Sequence, residues 1–380
     1  MEIREIIDFT NLQQWIVLAF FSVAFLIQMA YYLLIYLKLP LHKPAQTNSS
    51  DTGISVIICA KNEEKNLERF LPKILEQDHP NFEVVVVNDG STDETEEMLI
   101  RLSAHHKLLR YTSIPASDKP LRGKKLALTI GLKSAIFDYV LLTDADCYPA
   151  SNQWLKRMAS NLNDKKRIVL GYGGYEPRKG MLNRIIRYET VFTAIQYLSF
   201  AIKGRPYMGV GRNLAYHKSL FFENNGFARH YHLPSGDDDL FVNENATGKN
   251  TAVEVSQESH TLSVPEITFR GWIKQKKRHI SAGSHYHRNS RIRLALEWIS
   301  RILLYLTLIW LCILSPWVWP AASLFGVLVV TRLVVFKLGM RCLDEKHLLL
   351  PSQLLDPVMP LIMGIIWLTS LLETKHQTWS

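Results

Sequence analysis

Two aspartates end a strongly apolar segment of the sequence. The segment VLLTDADCYP covers residues 140–149, and one small residue separates Asp144 from Asp146. Carboxylates that converge at a strand end are the hard oxygen ligands that Mg²⁺ or Mn²⁺ takes in proteins. The competing interpretation is that both acids cap a helix that begins in PASNQWLKRM. The spacing therefore predicts a divalent cation site, with helix capping as the alternative.

Acidic loops also follow two other apolar segments. The loop CAKNEE follows ISVIIC and contains Glu63, and the loop NDGSTD follows FEVVVV and contains Asp89. Since the carboxyl ends of parallel strands meet at one edge of a sheet, these loops would share an edge with Asp144. A rim that holds bare phosphate is rich in glycine or basic residues, whereas an acidic rim needs a cation between itself and phosphate. We therefore expect a phosphate-bearing ligand held through a cation.

Strand and helix patterns alternate around these loops. The first predicted helix is amphipathic, and the second has acidic residues in its first turn. Ser91 or Thr92 is expected to cap the second helix. Alternation with short connections predicts an α/β fold with a mainly parallel sheet. The predicted strands are 54–59, 82–89 and 139–144, and the predicted helices are 62–77, 91–105 and 124–135.

Long apolar segments lie at both ends of the chain. Residues 15–37 carry no charge and are long enough to cross a hydrocarbon core of about 30 Å. Their flank is not basic and no cleavage site follows, so we interpret them as a signal anchor. Segments 302–320 and 321–339 have the pattern of a helical hairpin with Trp317 at its tip. A shorter run, 357–372, either spans or is re-entrant.

Basic residues flank these segments on one side. Residues 270–293 contain eight Lys or Arg and no acid, and they account for much of the net charge of +9. The positive-inside rule assigns that side to the cytosol, and anionic lipid explains the charge without nucleic acid. We therefore predict a multi-pass protein of the inner (plasma) membrane. The other flanking cations are Lys38, Lys43, Arg332, Lys337 and Arg341.

Four regions follow from these patterns. Trp272 and a basic face mark residues 266–295 as an interfacial helix segment. The four cysteines are scattered, without the spacing of a metal or redox pair. The regions are 1–45, an N-terminal transmembrane anchor; 46–265, a cytoplasmic α/β domain; 266–295, a basic interfacial segment; and 296–380, C-terminal transmembrane helices.

Between residues 54 and 283 a series of motifs occurs in a fixed order. The motifs are SVIICAKNEEKNL, VVVVNDGSTDET, GKKLALTIGL, VLLTDADCYP, GVGRNLAYHKSLFFENNGF, SGDDDLF and QKKRH. Taken together they resemble family 2 glycosyltransferases, in particular membrane-integrated members of the cellulose synthase and poly-N-acetylglucosamine synthase type. The resemblance implies the GT-A fold, a Rossmann-like, mainly parallel sheet with helices on both faces.

The resemblance also implies an activity and a set of site residues. The activity is transfer of a sugar, from a UDP-sugar as the expected nucleotide sugar, to a lipid-linked or saccharide acceptor. The metal, Mg²⁺ or Mn²⁺, would be held by Asp146 with help from Asp144. The implied donor-binding residues are Ala60, Asn62, Glu63, Asp89, Gly123, Lys124, Asp144, Gln275 and Arg278; the acceptor-binding residues are Gly211, Asn213 and His279; and the catalytic residues are Asp237, Asp238 and Asp239.

Two positions depart from the family pattern. The family motif is commonly Glu-Asp-x-Asp-Leu, and Gly236 takes the Glu position if Leu240 sets the register. That register makes Asp237 the general base, whereas a register set by the acid pair makes Asp238 the base. We favour Asp237. His279 replaces the Trp of the Gln-x-x-Arg-Trp motif, which removes a stacking partner for an acceptor sugar.

Two other function classes compete with this interpretation. A nucleotidylyltransferase would place a glycine-rich basic loop after its first strand, where this chain has CAKNEEKNL. A catalytically silent membrane scaffold would be indicated by loss of a metal aspartate or of the DDD acids, and all of them are present. Glu189 is expected to be a salt-bridge partner. The pairs His230/His232 and His285/His287 are expected to be solvated loop residues.

Overall fold

The chain folds into an α/β domain that packs against a set of long apolar helices. The computed structural model describes residues 2–44, 51–115, 124–233, 235–314 and 316–372. The strands are β1 (Ile54–Ala60), β2 (Phe82–Asn88), β3 (Leu109–Ser113), β4 (Tyr139–Asp144), β5 (Cys147–Pro149), β6 (Ile168–Leu170), β7 (Gly173–Tyr175), β8 (Leu214–His217), β9 (Thr251–Val253) and β10 (Thr261–Ser263). The α-helices are α1 (Glu2–Ala30), α2 (Lys38–Leu41), α3 (Glu64–Leu75), α4 (Thr95–His105), α5 (Lys124–Ser134), α6 (Trp154–Ala159), α7 (Met181–Ile202), α8 (Ser219–Glu223), α9 (Asp239–Asn245), α10 (Phe269–Gly283), α11 (Arg288–Leu314), α12 (Val318–Cys342) and α13 (Leu349–Leu372).

The central sheet is mainly parallel, as the sequence predicts. Its strand order is β3-β2-β1-β4-β8-β6-β9, and β8 is antiparallel to both of its neighbours. A second sheet has the order β5-β10-β7. The chain order reverses between β1 and β4, which pair in parallel. In open α/β sheets such a reversal leaves a crevice at the carboxyl ends of the strands, and ligands bind there.

Alternating residues of β1 separate the two faces of the sheet. Ile54, Val56 and Ile58 belong to a core with residues of α3, α4 and α6. Ile57 and Cys59 point to the other face, where α5 and α7 cover the sheet. That second core continues without interruption into the long apolar helices. The domain and the helices are therefore joined by buried apolar contact rather than by a linker alone.

The capping prediction for α4 is wrong. The helix begins at Thr95, so Ser91 and Thr92 precede it by a full loop. The Ser91 Oγ instead accepts from the Asn62 backbone N–H at 2.9 Å, and the Thr92 N–H donates to Asn62 Oδ1 at 2.8 Å. Sequence-local rules missed this because the partner lies in the loop after another strand. The bonds lock the loops after β1 and β2 together.

Four helical segments are long and apolar enough to cross a membrane, judged by length and composition over the described part of the chain. The first runs from Leu12 to Leu41 and includes a π-helical stretch, Tyr31–Tyr36. The expected hairpin is present: α11 ends at Leu314 and Trp317 caps the start of α12. At that tip the rings of Trp15 and Trp317 are 4.8 Å apart. The start of the first anchor and the tip of the hairpin therefore lie at the same end of the helices.

Helix α13 takes a different course from the other three. Its Gln353 accepts from Arg332 of α12, its Asp356 lies beside Tyr188 of α7, and its Pro360 carbonyl accepts from Trp298 of α11. It also contacts α10. Helix α13 thus contacts α12, α11 and α10 as well as α7 of the α/β domain.

A cluster of charged side chains is buried between the helices. Asp356 accepts from Tyr305 at 2.6 Å and pairs with Arg301 at 3.4 Å and with Arg332. Arg301 also pairs with Glu297 on its own helix. The placement of Arg332 as a flanking cytosolic cation is therefore wrong, because its side chain is buried within the helices. Buried charges in such a setting pair with one another because leaving one of them unpaired is costly.

The expected interfacial segment, 266–295, consists of α10 and the first residues of α11. The role given to Trp272 is wrong: this side chain is buried. Ile267 and Phe269, at the start of α10, are the exposed apolar residues instead. The sequence pattern gave the wrong role for Trp272 because α10 is amphipathic and packs its apolar face on the protein rather than on lipid.

Replacing Asp356 by Asn should destabilise the fold. The change leaves Arg301 and Arg332 without their shared carboxylate, and removal of one partner from a buried ion pair costs about 3–5 kcal/mol. The midpoint of thermal unfolding in detergent, followed by circular dichroism, should fall clearly. Lys346→Ala is the matched control because its pair with Asp344 is exposed. Equal midpoints for both variants would show that the buried cluster adds nothing to stability.

Candidate active site

A cavity of about 1020 Å³ opens at the carboxyl ends of β1 and β4. It brings together residues that lie far apart in the sequence, from the end of β1 to α13. Most of the site residues predicted from sequence are on its wall: Glu63, Lys124, Asp144, Asp146, Gly211, Asp237, Asp238, Asp239, Gln275, Arg278 and His279.

Asp144 and Asp146 converge, and they do not cap a helix. The next helix, α6, begins at Trp154 with Gln153 at its N-cap. Ligand atoms of Asp144, Asp146 and Cys147 all lie within 4.8 Å of one another. Asp146 Oδ2 accepts from Ser263 Oγ at 2.9 Å, which fixes the carboxylate from the second sheet. The capping alternative is therefore excluded by distance along the chain.

The electrostatics of this pair fit a divalent cation. Burial and then the charge of Asp144 raise the pKa of Asp146. Burial acts in the same direction on Asp144, but Lys124 outweighs it and holds the pKa of Asp144 below its usual value. Burial and the two carboxylates raise the pKa of the Cys147 thiol well above its ordinary value, so it stays protonated. Two carboxylates are thus available as hard oxygen ligands, and a cation there would relieve their repulsion.

Lys124 connects this pair to the aspartate triplet. Its ammonium donates to Asp144 Oδ1 and lies 3.5 Å from Asp237 Oδ2. Burial opposes the charge, but these two acids hold the pKa of Lys124 well above its ordinary value. Lys125 points elsewhere and donates to the Leu233 carbonyl at 3.0 Å, which steadies the loop before the triplet. Gly123, also expected at the donor site, lies outside the described residues.

The three consecutive aspartates have three different environments. Asp238 accepts from the Gly211 N–H at 2.6 Å and from the Asp239 N–H at 2.7 Å, so it caps α9. Asp239 accepts from the Tyr286 hydroxyl at 2.7 Å and is buried. Burial followed by the neighbouring acid raises the pKa of Asp238 to about 6 and that of Asp239 to about 8. Asp237 is the member whose carboxylate faces Lys124 across the cavity.

Comparison with known proteins identifies the domain that carries this cavity. The family described as "Glycosyl transferase family 2" matches residues 55–221. These residues form a family 2 glycosyltransferase domain. The match contains β1 to β8, the acid pair and Lys124, and it ends before the aspartate triplet.

The curated relatives match only part of the chain. A poly-beta-1,6-N-acetyl-D-glucosamine synthase of Staphylococcus epidermidis is 32% identical over 94 residues, which are 25% of this chain and 22% of that protein. One from Staphylococcus epidermidis strain RP62A is 29% identical over 130 residues, or 33% of this chain and 30% of its own length. The chain therefore spans less than a third of the length of these relatives.

A solved structure shows the fold over a greater length. A mannosyltransferase from Pyrobaculum calidifontis, in complex with GDP-Man and Mn²⁺, superposes with a TM-score of 0.58. The match covers 90% of this chain and 98% of that chain at 20% identity. The GT-A fold expected for the family 2 domain is confirmed by this likeness.

Helix α10 closes the cavity of the family 2 domain from the side of the apolar helices. Lys276 pairs with Glu189 of α7, so the expected salt-bridge role of Glu189 is confirmed. His279 faces the cavity and is open to solvent there, although protein surrounds it. Loss of contact with water among the surrounding protein atoms, followed by the charges of Lys276 and Arg278, holds the pKa of His279 well below its usual value. A neutral imidazole thus stands at the position for which the motif resemblance predicts Trp.

Four predicted residues do not line the cavity. The Asp89 N–H donates to the Ala60 carbonyl at 2.7 Å, and Asn62 joins two loops, so these three residues shape the rim. Asn213 is buried, and its amide accepts from Trp154 and donates to the carbonyls of Tyr172 and Ser259. Its amide is therefore occupied in holding the start of β8 rather than in reaching an acceptor.

Sequence reasoning missed two residues that the fold brings to the acid pair. Arg212 lies on the cavity wall between Gly211 and Asn213, and its guanidinium stacks 4.4 Å from the centre of the Tyr175 ring. Its place in the motif GVGRNL was a usable signal. Ser263 had none, because it ends a three-residue strand that only the fold places beside Asp146.

One histidine also differs from expectation. His230 is buried against Phe227, so it is not a solvated loop residue. Burial, followed by the charge of Lys125, lowers its pKa to about 4. His232 and His285 stay near each other, with ring centres 6.4 Å apart.

Replacing Asp146 by Asn should weaken Mn²⁺ binding by the family 2 domain. The change removes one of two available carboxylate ligands, and we expect affinity to fall about 10- to 100-fold. Electron paramagnetic resonance of free Mn²⁺ in a titration measures it directly. Asp78→Asn, an exposed acid outside the cavity, is the matched control. Indistinguishable Mn²⁺ titrations for wild type and Asp146→Asn would remove the cation from this position.

Proposed function

We propose that the protein is a membrane-anchored, inverting glycosyltransferase that moves a sugar from a nucleotide diphosphate sugar to a lipid-linked or saccharide acceptor. The observation that carries the proposal is a single cavity with a cation-type acid pair at one side and Asp237 at the other, joined through Lys124. Inverting transfer needs a base on the acceptor side and positive charge on the leaving-group side. The family 2 match supports the reaction class.

Asp237 is our candidate for the general base. Its neighbours Asp238 and Asp239 are held by the backbone of Gly211 and by Tyr286, so neither is free to turn toward an acceptor. Asp237 would accept the proton of the acceptor hydroxyl as that oxygen attacks the anomeric carbon from the face opposite the diphosphate.

The leaving diphosphate would meet basic and polar groups on the wall of the same cavity. Arg278 and Gln275 project from α10 into the same cavity, and Lys124 and Arg212 lie beside the acid pair. A divalent cation at Asp146 and Asp144, when bound, would neutralise the charge that develops on the diphosphate. The four protein groups orient the donor and exclude competing positions of the phosphates.

A direct screen tests which nucleotide the donor sugar carries. The staphylococcal relatives are named as N-acetylglucosamine polymer synthases, which supports a UDP-sugar, whereas the archaeal neighbour was solved with GDP-Man. Membranes that contain the protein would be incubated with radiolabelled UDP- and GDP-sugars and Mn²⁺. Transfer from one of them and not from the others would name the donor. No transfer and no donor hydrolysis with any sugar would refute the proposed activity.

Asp237→Asn should abolish transfer and leave donor binding nearly intact. Loss of a general base typically lowers turnover by about 10²–10⁴-fold, and the amide cannot take the proton. Asp238→Asn is the paired variant: it weakens the cap on α9 but should keep measurable transfer. Turnover and nucleotide affinity would be measured for both. The reverse order of activities would assign the base to Asp238.

We also propose that the α/β domain faces the cytosol and that the protein spans the inner membrane. The hairpin tip and the start of the first anchor meet at the end of the helices away from the domain. Basic residues cluster at the domain end, which is the pattern of a cytosolic face. Cytosolic nucleotide sugars would then reach the cavity directly.

Cysteine labelling tests this orientation. In a Cys312→Ser, Cys342→Ser background, Pro316→Cys at the hairpin tip should react with a membrane-impermeant maleimide in intact cells. Arg101→Cys, on the exposed face of α4, should react only after lysis. The remaining cysteines, Cys59 and Cys147, are buried and give little background. Labelling of Arg101→Cys in sealed cells would reverse the orientation.

A further inference from the structure

The cavity does not end at the catalytic acids. It continues past α10 to residues of α11 and α13. This inner part, which we call the slot, is lined mainly by apolar side chains, and the only charged residues of α11 and α13 beside them in the described cavity wall, apart from Arg291, are Glu297 and Arg301, which pair with each other. The apolar residues of the slot that the argument uses are Trp298, Ile299, Met359, Met363, Gly364 and Trp367.

The slot opens on the apolar side of the protein. Ile299 is 54% exposed and Trp367 is 45% exposed, although both also line the cavity. A residue that faces both the cavity and the outside marks an opening. Both belong to helices with the length and composition of membrane spans. In a membrane that these helices cross, the opening would face hydrocarbon rather than water.

Helix α13 presents a continuous apolar face on the same side. Its exposed residues recur every three or four positions, which is one face of a helix, while the opposite face packs on α7, α11 and α12. A helix with such a face is suited to contact with lipid along that face. The exposed residues are Leu350, Leu354, Val358, Leu361, Ile365, Leu368 and Leu372.

Two arginines line the cavity between the slot and the acids. They are Arg278 on α10 and Arg291 at the start of α11. Within the described ranges, no carboxylate oxygen lies within 4.0 Å of either guanidinium, although acids are abundant on the same wall. A guanidinium in that setting suits a phosphate, which it can contact with two parallel hydrogen bonds.

We propose that the acceptor is a phosphate-bearing membrane lipid whose hydrocarbon chain lies in the slot between α11 and α13. Its phosphate contacts Arg291 and its reacting hydroxyl reaches Asp237. The proposal rests on the proposed glycosyltransferase function and narrows its acceptor to one class. A soluble saccharide would gain nothing from an apolar slot that opens on the bilayer, and the transfer itself breaks the anomeric bond to the diphosphate and forms one to the lipid oxygen.

Gly364 allows the slot to be closed by one substitution. A β-carbon at this position would already lie 3.1 Å from the Trp298 ring, so a leucine side chain must project into the slot or displace the indole. Gly326 on α12 is the matched control, because a β-carbon there meets no heavy atom of the described chain within 4 Å. Both changes add the same apolar side chain to a helix with the length and composition of a membrane span.

The experiment uses the full chain in vesicles made from the total lipid of the producing cells. A radiolabelled donor from the screen is added, and the label is partitioned between chloroform–methanol and water. Wild type should place the label in the organic phase. Gly364→Leu should lower it by about tenfold or more, equivalent to about 1.4 kcal/mol of lost acceptor binding, whereas Gly326→Leu should match wild type. Hydrolysis of the donor to free sugar should persist in both variants.

Arg291→Gln provides a second variant should Gly364→Leu fail to fold. It should raise the lipid concentration needed for half-maximal transfer and leave donor affinity unchanged. Label found only in water-soluble saccharide, or an organic-phase signal that survives both Gly364→Leu and Arg291→Gln, would overturn the lipid acceptor. Absence of both transfer and donor hydrolysis in wild type would instead overturn the glycosyltransferase function, so the two failures are distinct.

Discussion

The site depends on how positive charge is placed among buried carboxylates. Asp144, Asp146 and Asp237 share one cavity, and carboxylates removed from water repel each other strongly unless a cation stands between them. Lys124 is that cation for Asp144 and Asp237. Asp146 lies outside its reach, so a second positive charge has a place to bind. The same constraint keeps the donor side and the acceptor side of the cavity at a fixed separation, because one ammonium touches both.

The apolar helices are part of this arrangement rather than a separate anchor. Arg187 of α7 pairs with Glu345 in the loop between α12 and α13, and the Tyr172 hydroxyl donates to the same carboxylate at 2.8 Å. Helix α10 is held to α7 through Lys276 and Glu189. Consequently the sheet, α7 and the start of α13 are held in one relative position. The polar and apolar parts of the cavity therefore lie between elements that are fixed to one another.

The extent to which sequence predicted this structure follows from the range of the interactions. The strands β1, β2 and β4 and the helices between them repeat at periods of two and 3.6 residues, so local pattern was sufficient. The acid pair was found because it follows β4 directly, and Asp237 was found because SGDDDLF resembles an acidic motif of the family. Ser263, the buried position of Trp272 and the pairing of Arg332 with Asp356 were not found, because each depends on parts of the chain that are distant in the sequence. A basic residue in an apolar segment has the same pattern whether it meets lipid headgroups or a buried carboxylate.

The buried cluster among the helices also constrains how the protein enters the membrane during synthesis. Arg301 has its partner Glu297 one turn earlier on the same helix, so α11 can insert with that charge already matched. Helix α12 contains no acid, and Arg332 must wait for Asp356, which is made 24 residues later. An arginine at the centre of an inserting helix costs about 2.5–3.5 kcal/mol on translocon scales. Arg332 would therefore stay unmatched in α12 until α13 is made, and its pairing with Asp356 would tie the assembly of the slot to the arrival of α13.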